Sequence, residues 1–267
     1  EAPVSPSERF ELTKWYLDGV APSGAAFLGY WTQLRWRSLH VTWQSVALST
    51  GGELLHERTC LGSGAPPRWE DGVLTWQPID LGLAVAYRPL AAPCLIPLYT
   101  GPEGSVSWRC DLPAGRVDAR TDGDDPIVGL GYAECIRFTL PPWQLPIREL
   151  RWGRWIADDG ASTLIWIAWH GDAPRVWTVL DGNELAGAQV TDLEVTAGDI
   201  RLRLTDRRLL RRRLLGETVA RIPGLGHLLP DAMLHLAETK WLARGALEGD
   251  ARGVGHGHAI VEHAVFG

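Results

Sequence analysis

The chain has 267 residues, 45% of them apolar and 22% charged, with a formal net charge of −6 at neutral pH. That length allows one large or two small domains, each with its own core. The negative balance speaks against a general nucleic-acid binder, because phosphate binding is driven largely by positive charge, and no apolar run is long enough for a membrane-spanning helix.

From the N-terminus onward, short alternating segments are cut by turn residues. Leu34-Arg35-Trp36 and His40-Val41-Thr42-Trp43 read as strands, followed by a turn at Ser49-Thr50-Gly51-Gly52 and another at Ala65-Pro66-Pro67. Val73-Leu74-Thr75-Trp76 is the next strand signal, with turns at Gly101-Pro102-Glu103-Gly104 and Asp122-Gly123-Asp124-Asp125-Pro126. A strand with the string VGLGYA begins at Val128, and Pro141-Pro142 then interrupts the chain, since proline donates no ladder hydrogen bond. Ile165-Trp166-Ile167-Ala168-Trp169 is a further strand, closed by a turn at Asp181-Gly182-Asn183. Thr205 or Asp206 is placed to cap a helix over Arg207–Leu215, where Leu210 and Leu214 fall on one face and Arg207 and Arg211 on another. The last strand carries VGHGHA from Val254. Short strands at this spacing predict an all-β sandwich or barrel.

The two glycine-rich strings are one repeat. Val254 follows Val128 by 126 positions (254 − 128), and the same offset sets Trp43 on Trp169, Leu74 on Ile200 and Gln44 on His170. Agreement at separate places predicts a duplicated unit. A unit of that size suits a small closed barrel, which leaves no exposed sheet edge. The expected domains are 1–140 and 141–267.

Fourteen Trp against four Phe is the unusual feature of the composition. Trp31, Trp43, Trp76, Trp152, Trp166 and Trp169, with His258, are candidates for the lining of a pocket for a large apolar ligand; the same indoles would also serve as barrel filling. On the VGLGYA strand, Leu130, Tyr132, Glu134, Ile136, Phe138 and Leu140 share a face that is too apolar to meet water, so it is expected to point inward. A buried Glu134 beside Tyr132 suits a general acid, or else a structural ion pair. His170 is a second candidate for proton transfer. His256, His258 and Glu262 lack a convincing fourth ligand, and Cys60, Cys94, Cys110 and Cys135 form no C-x-x-C pair, so no metal or other cofactor is expected. The cysteines read as small apolar residues of a reducing compartment. The expected location is therefore the cytoplasm, with a cleaved leader left open because the chain begins at Glu1 rather than Met. Arg207, Arg208, Arg211, Arg212 and Arg213 offer a peripheral contact to an anionic membrane surface, or a solvated face. Neither a G-x-S-x-G elbow, a P-loop nor an H-E-x-x-H motif is present.

Several strings carry a family resemblance: Lys14-Trp15-Tyr16-Leu17-Asp18, Gly29-Tyr30-Trp31, Gly129-Leu130-Gly131-Tyr132-Ala133-Glu134 with Leu140-Pro141-Pro142-Trp143, Trp169-His170-Gly171 and Leu180-Asp181-Gly182. Together they resemble the carotenoid 1,2-hydratase (hydroxyneurosporene synthase) and attH-like superfamily. The resemblance implies two tandem lipocalin-like barrels, and members that hydrate isoprenoid double bonds without a cofactor or cyclise large apolar substrates. Two functions follow as expectations. One is a cofactor-independent enzyme in which Glu134, Tyr132 or His170 moves a proton during hydration, cyclisation or isomerisation of an isoprenoid or polyketide-like substrate. The other is a non-catalytic binding protein for an apolar small molecule; a structural or accessory protein with a vestigial pocket stands behind both.

Overall fold

The computed structural model describes residues 10–49, 56–62, 64–123, 125–219, 229–249 and 253–266. They fall into two compact units, Glu1–Gln144 and Leu145–Gly267. The first contains β1 (Phe10–Val20), β2 (Ala26–Trp36), β3 (Leu39–Ser49), β4 (His56–Leu61), β5 (Arg68–Glu70), β6 (Val73–Trp76), β7 (Leu83–Pro89), β8 (Cys94–Gly101), β9 (Gly104–Thr121) and β10 (Ile127–Phe138). The second contains β11 (Glu149–Ala157), β12 (Thr163–His170), β13 (Arg175–Leu180), β14 (Asn183–Glu184), β15 (Gln189–Val190), β16 (Glu194–Ala197), β17 (Ile200–Leu214), β18 (Ala237–Gly249) and β19 (Gly253–Val265). The α-helices among the described residues are two short ones in the second unit, α1 (Leu215–Val219) and α2 (Asp231–Leu234), and the first unit has single 3-10 turns at Ile79–Leu81 and Pro142–Gln144.

Each unit is one curled antiparallel sheet. The first runs in the order β4-β3-β2-β1-β10-β9-β7-β6-β5, with β8 added on β9; the second runs β14-β13-β12-β11-β19-β18-β17-β16-β15. Curling brings the β4 end of the first sheet to the turn at Ile79–Leu81, where the Cys60 thiol lies 3.6 Å from Asp80. Strand for strand the two orders are the same. The chain is two tandem lipocalin-like barrels from an internal duplication, as expected.

The equivalence is not the ungapped one, however. β10 and β19 hold the same place in the two sheets, so the strands that carry Gly131 and Gly257 correspond. β2 corresponds to β12 and β3 to β13, so Trp43 of β3 has no counterpart in Trp169 of β12, nor Gln44 in His170. Leu74 of β6 likewise corresponds to β16 rather than to Ile200 of β17. Loops of different length displace the register, and the three matches Trp43/Trp169, Gln44/His170 and Leu74/Ile200 were coincidences.

Alternation puts one face of each sheet on an apolar core. In the first unit that core holds Trp15, Leu17, Phe27, Trp31, Trp76, Tyr87, Ala133 and Cys135; in the second it holds Trp155, Leu164, Trp166, Leu202, Ala243 and Val261. A buried indole removes roughly 150–250 Å² from water, on the order of 4–6 kcal/mol each. Glycine makes room for two of them. A Cβ on Gly29 would stand 2.6 Å from Trp76, and one on Gly153 would overlap Trp166.

The helix expected over Arg207–Leu215 is strand instead. That segment is the second half of β17 and pairs with β18 from Arg208↔Leu242 to Leu214↔Ala237. Register shifts between Thr205 and Arg208 and between Leu209 and Arg211 break its alternation, and Asp206 takes a left-handed conformation (φ 49°) at the first. A strand interrupted by bulges loses its period of two, and here it imitates the spacing of a helix. Ladder hydrogen bonds to β18 outweigh the intrinsic helix preference of Leu and Arg, which amounts to only tenths of a kcal/mol per residue.

Candidate functional site

In the first unit, the sheet face opposite the apolar core carries polar and aromatic side chains. Glu134 on β10 stands across from Tyr16 on β1 and Cys110 on β9; Tyr16 is in turn across from Tyr30 on β2, and Asp18 from Tyr132. Glu134 Oε2 accepts hydrogen bonds from the Tyr132 hydroxyl at 2.6 Å and from the Trp108 indole N–H at 2.5 Å. Tyr132, Trp108, Tyr16, Tyr30 and Asp18 are buried, and Glu134 is half-buried. The rings of Tyr16 and Tyr30 lie 5.3 Å apart and those of Tyr16 and Tyr132 6.2 Å apart; Lys14 Nζ is 5.1 Å from the Tyr30 ring.

The expected partnership of Glu134 with Tyr132 is thus present, but the face was assigned to the wrong side. Ala133 and Cys135 enter the barrel core, and Glu134 and Tyr132 point away from it. Both faces of this strand are buried, so apolar alternation alone does not reveal which one fills the barrel.

Burial pushes the Tyr132 phenol well above its ordinary range, with Cys110 and Glu134 adding to the effect. It remains protonated near neutral pH and is therefore the donor to Glu134. Burial also raises the Cys110 thiol, while the hydrogen bond with Cys110 lowers that of Cys94, its cross-strand neighbour. Cys110 and Cys135 are buried and Cys60 and Cys94 half-buried; all four are free thiols. Sequence reasoning missed Trp108, Tyr16 and Tyr30 as companions of Glu134. The signal for Tyr16 and Tyr30 lay in the strings Lys14–Asp18 and Gly29–Trp31, but the link needs the pairing of β1 with both β2 and β10.

His170 lies in the second unit, at the end of β12, with its imidazole on the core-facing side and across from Glu149. Its Nε2 is buried without a hydrogen-bond partner among the described residues. Burial raises the Glu149 carboxyl, but the bond from Arg151 Nε (2.6 Å), with His263 and His170 nearby, outweighs it and holds Glu149 below its ordinary value. His263 Nε2 stands 3.1 Å from Glu149, and Arg151 also holds Asp192 at 2.7 Å. His258 sits elsewhere, between Asp158 (3.3 Å) and Arg244. Burial, and then Arg244, lowers its pKa against the pull of Asp158. Glu262 is taken by a buried Lys240. Among the described residues no three His, Cys, Asp or Glu side chains converge on a metal position.

The candidate tryptophans do not line one cavity. Trp31 and Trp76 are packed in the core of the first unit and Trp166 in that of the second, while Trp43, Trp152 and Trp169 lie on the opposite faces of their sheets. Trp152 receives Lys240 Nζ at 4.9 Å, and Trp169 meets Trp177 edge-on at 5.0 Å. The arginine run is also divided. Arg211 is buried and, with Arg213, ion-paired to Glu238 (3.3 and 3.7 Å), so the five arginines do not present a single membrane-facing surface. No helix of the described residues is long and apolar enough to cross a membrane.

No protein-family model matches the chain, and no curated protein matches it in sequence. Solved structures do. The crystal structure of CghA with Sch210972 superposes with a TM-score of 0.59 at 11% identity, over 96% of this chain and 89% of that one. A protein assigned as AttH from Nitrosomonas europaea gives 0.56 at 14% identity, over 98% and 95%. Kievitone hydratase from Nectria haematococca gives 0.56 at 8% identity, over 95% and 88%. The chain has their fold. At these identities the likeness is one of architecture, and it agrees with the two-barrel fold implied by the AttH-like sequence strings.

Proposed function

We propose that the chain is a cofactor-independent enzyme that uses Glu134 to move a proton during hydration, cyclisation or isomerisation of a large apolar substrate of isoprenoid or polyketide type. The observation that carries this reading is the half-buried Glu134 carboxyl, fixed at one oxygen by Tyr132 and Trp108, with Tyr16 across from it on β1 and Tyr30 beyond Tyr16 on β2. A carboxyl held in one orientation within an aromatic surround meets the geometric need of a general acid or base. Kinship of fold with a protein named as a hydratase supports the reaction class.

In its acid form Glu134 gives its proton to a substrate double bond, and the bond's electron pair forms the new C–H bond. Aromatic faces attract the resulting cation. Water then adds and returns a proton to the carboxylate, or a second double bond attacks to close a ring and the cation it leaves gives up an adjacent proton to the carboxylate, or the first cation loses an adjacent proton to the carboxylate to give an isomer. Tyr132 and Trp108 keep the receiving oxygen in place through the cycle. His170 is a separate proton-transfer candidate in the second unit.

The test is to incubate the purified chain with an apolar metabolite extract and follow masses and retention times. Hydration adds one water to a substrate; cyclisation and isomerisation change retention at constant mass. The conversion should fall by about 10² or more in Glu134→Gln. An apolar molecule that co-purifies unchanged, with no conversion by the wild type, would mark the chain as a binding protein instead.

A further inference from the structure

The mouth of the second barrel carries positive charge that its acids do not neutralise. On the core-facing side of β17 and β18, Leu209 pairs with Trp241 and Arg212 with Thr239, and Thr239 is next to His263 of β19. With Arg207 and Asp192 these side chains line a groove of about 640 Å³, within the size range of small-ligand sites. Asp192, the acid of the lining, is already engaged by Arg151, which also bonds Glu149, and the lining His263 lies 3.1 Å from the same Glu149 oxygen. Arg207 and Arg212 have no carboxylate partner among the described residues. Arg207 is instead laid over Trp241, its guanidinium carbon 4.2 Å from the ring centroid, and its Nε is buried with no hydrogen-bond acceptor.

The register shifts in β17 create this arrangement. Strict alternation from Leu209 would bring Arg211 into the groove, yet the shift after Leu209 sends Arg211 to the outer face beside Lys240 and turns Arg212 inward. A guanidinium already stacked on an indole loses little freedom when it binds a planar anion, and its fork matches a carboxylate.

We propose that this groove binds a small organic anion with a flat apolar body, its carboxylate held by Arg207 and Arg212 and its body laid against Trp241 and Leu209. The site does not depend on the chain being an enzyme. An acidic headgroup in a lipid bilayer has the same chemistry, and the two sources are separable by experiment.

Calorimetric titration with naphthalene-2-carboxylate and with its neutral amide provides the test. The carboxylate should bind about tenfold tighter than the amide at low salt, with the gap narrowing at high salt. Arg207→Gln with Arg212→Gln should bring the carboxylate down to the affinity of the amide, and Trp241→Leu should weaken both. Arg212 is exposed, so Arg212→Gln alone is the control that preserves the fold, and it should lose part of the preference. Equal affinity for the two probes, no binding of either, or an unchanged preference in Arg212→Gln would overturn the proposal. So would co-sedimentation with phosphatidylserine vesicles in the absence of naphthoate binding, which would mark a headgroup patch instead.

Discussion

Replacing Glu134 by leucine removes the acceptor of two donors that are almost wholly buried. The Tyr132 hydroxyl and the Trp108 indole belong to residues 0% and 1% exposed. Leaving a buried donor unpaired costs about 1–3 kcal/mol, so the pair sums to about 2–6 kcal/mol. Leucine regains about 1–2 kcal/mol through its apolar surface, and Tyr132 has the Cys110 thiol as a weak alternative partner. A net loss of about 1–4 kcal/mol is expected for Glu134→Leu. Glu134→Gln keeps an oxygen for both donors. The amide matches the carboxyl in size and its oxygen still accepts both bonds, so its stability should stay within about 1 kcal/mol of the wild type. Urea unfolding followed by circular dichroism and tryptophan fluorescence provides the measurement. A Leu variant within about 0.5 kcal/mol of the wild type, or a Gln variant less stable than the Leu variant, would show that these two bonds do not hold Glu134 in place.

Three further outcomes follow from the second unit. Lys240 and Glu262 form a buried ion pair, so Lys240→Met alone should cost about 3–5 kcal/mol while Lys240→Met with Glu262→Leu should recover most of it; equal losses in the single and double variants in urea would refute the pairing. His258 has a lowered pKa in the folded state, so the unfolded chain binds more protons below the ordinary histidine value of 6.5. Its contribution is therefore present above that pH and lost as the pH falls below it. His258→Gln should flatten the decline of the urea midpoint between neutral and mildly acidic pH, and a decline unchanged from the wild type would contradict the shift. Gly153→Ala should destabilise by about 1–3 kcal/mol because the new methyl meets Trp166; a melting temperature equal to that of the wild type would mean that the indole has room to move.

The all-β class, the turns at Gly101–Gly104 and Asp181–Asn183, and the duplication were legible in the sequence because they rest on local chemistry, while the turns expected at Ser49–Gly52 and Asp122–Pro126 fall partly outside the described residues. Glycine and proline interrupt short runs wherever the backbone reverses, and alternation marks a strand whatever it pairs with. The glycine string at Gly129–Gly131 recurs at Gly255–Gly257, in strands with the same place in both sheets. The side-by-side position of Tyr132 and Glu134 was legible too, since two residues apart on a strand means the same face.

Only the tertiary structure decided which face that is. Residues on both sides of β10 are buried, so hydrophobicity does not distinguish the barrel interior, which takes Ala133 and Cys135, from the side that takes Glu134. The cross-strand neighbours of Glu134 come from β1 and β9, and the pairing with β1, over more than a hundred residues of chain, appears in no local pattern. The arginine run shows the same limit. Its spacing fits a helix equally well, and pairing with β18 makes it a strand whose shifts turn Arg207 and Arg212 inward and leave Arg211 and Arg213 with Glu238. Periodicity specifies what a segment can become; the partner strand and its register determine where each side chain goes.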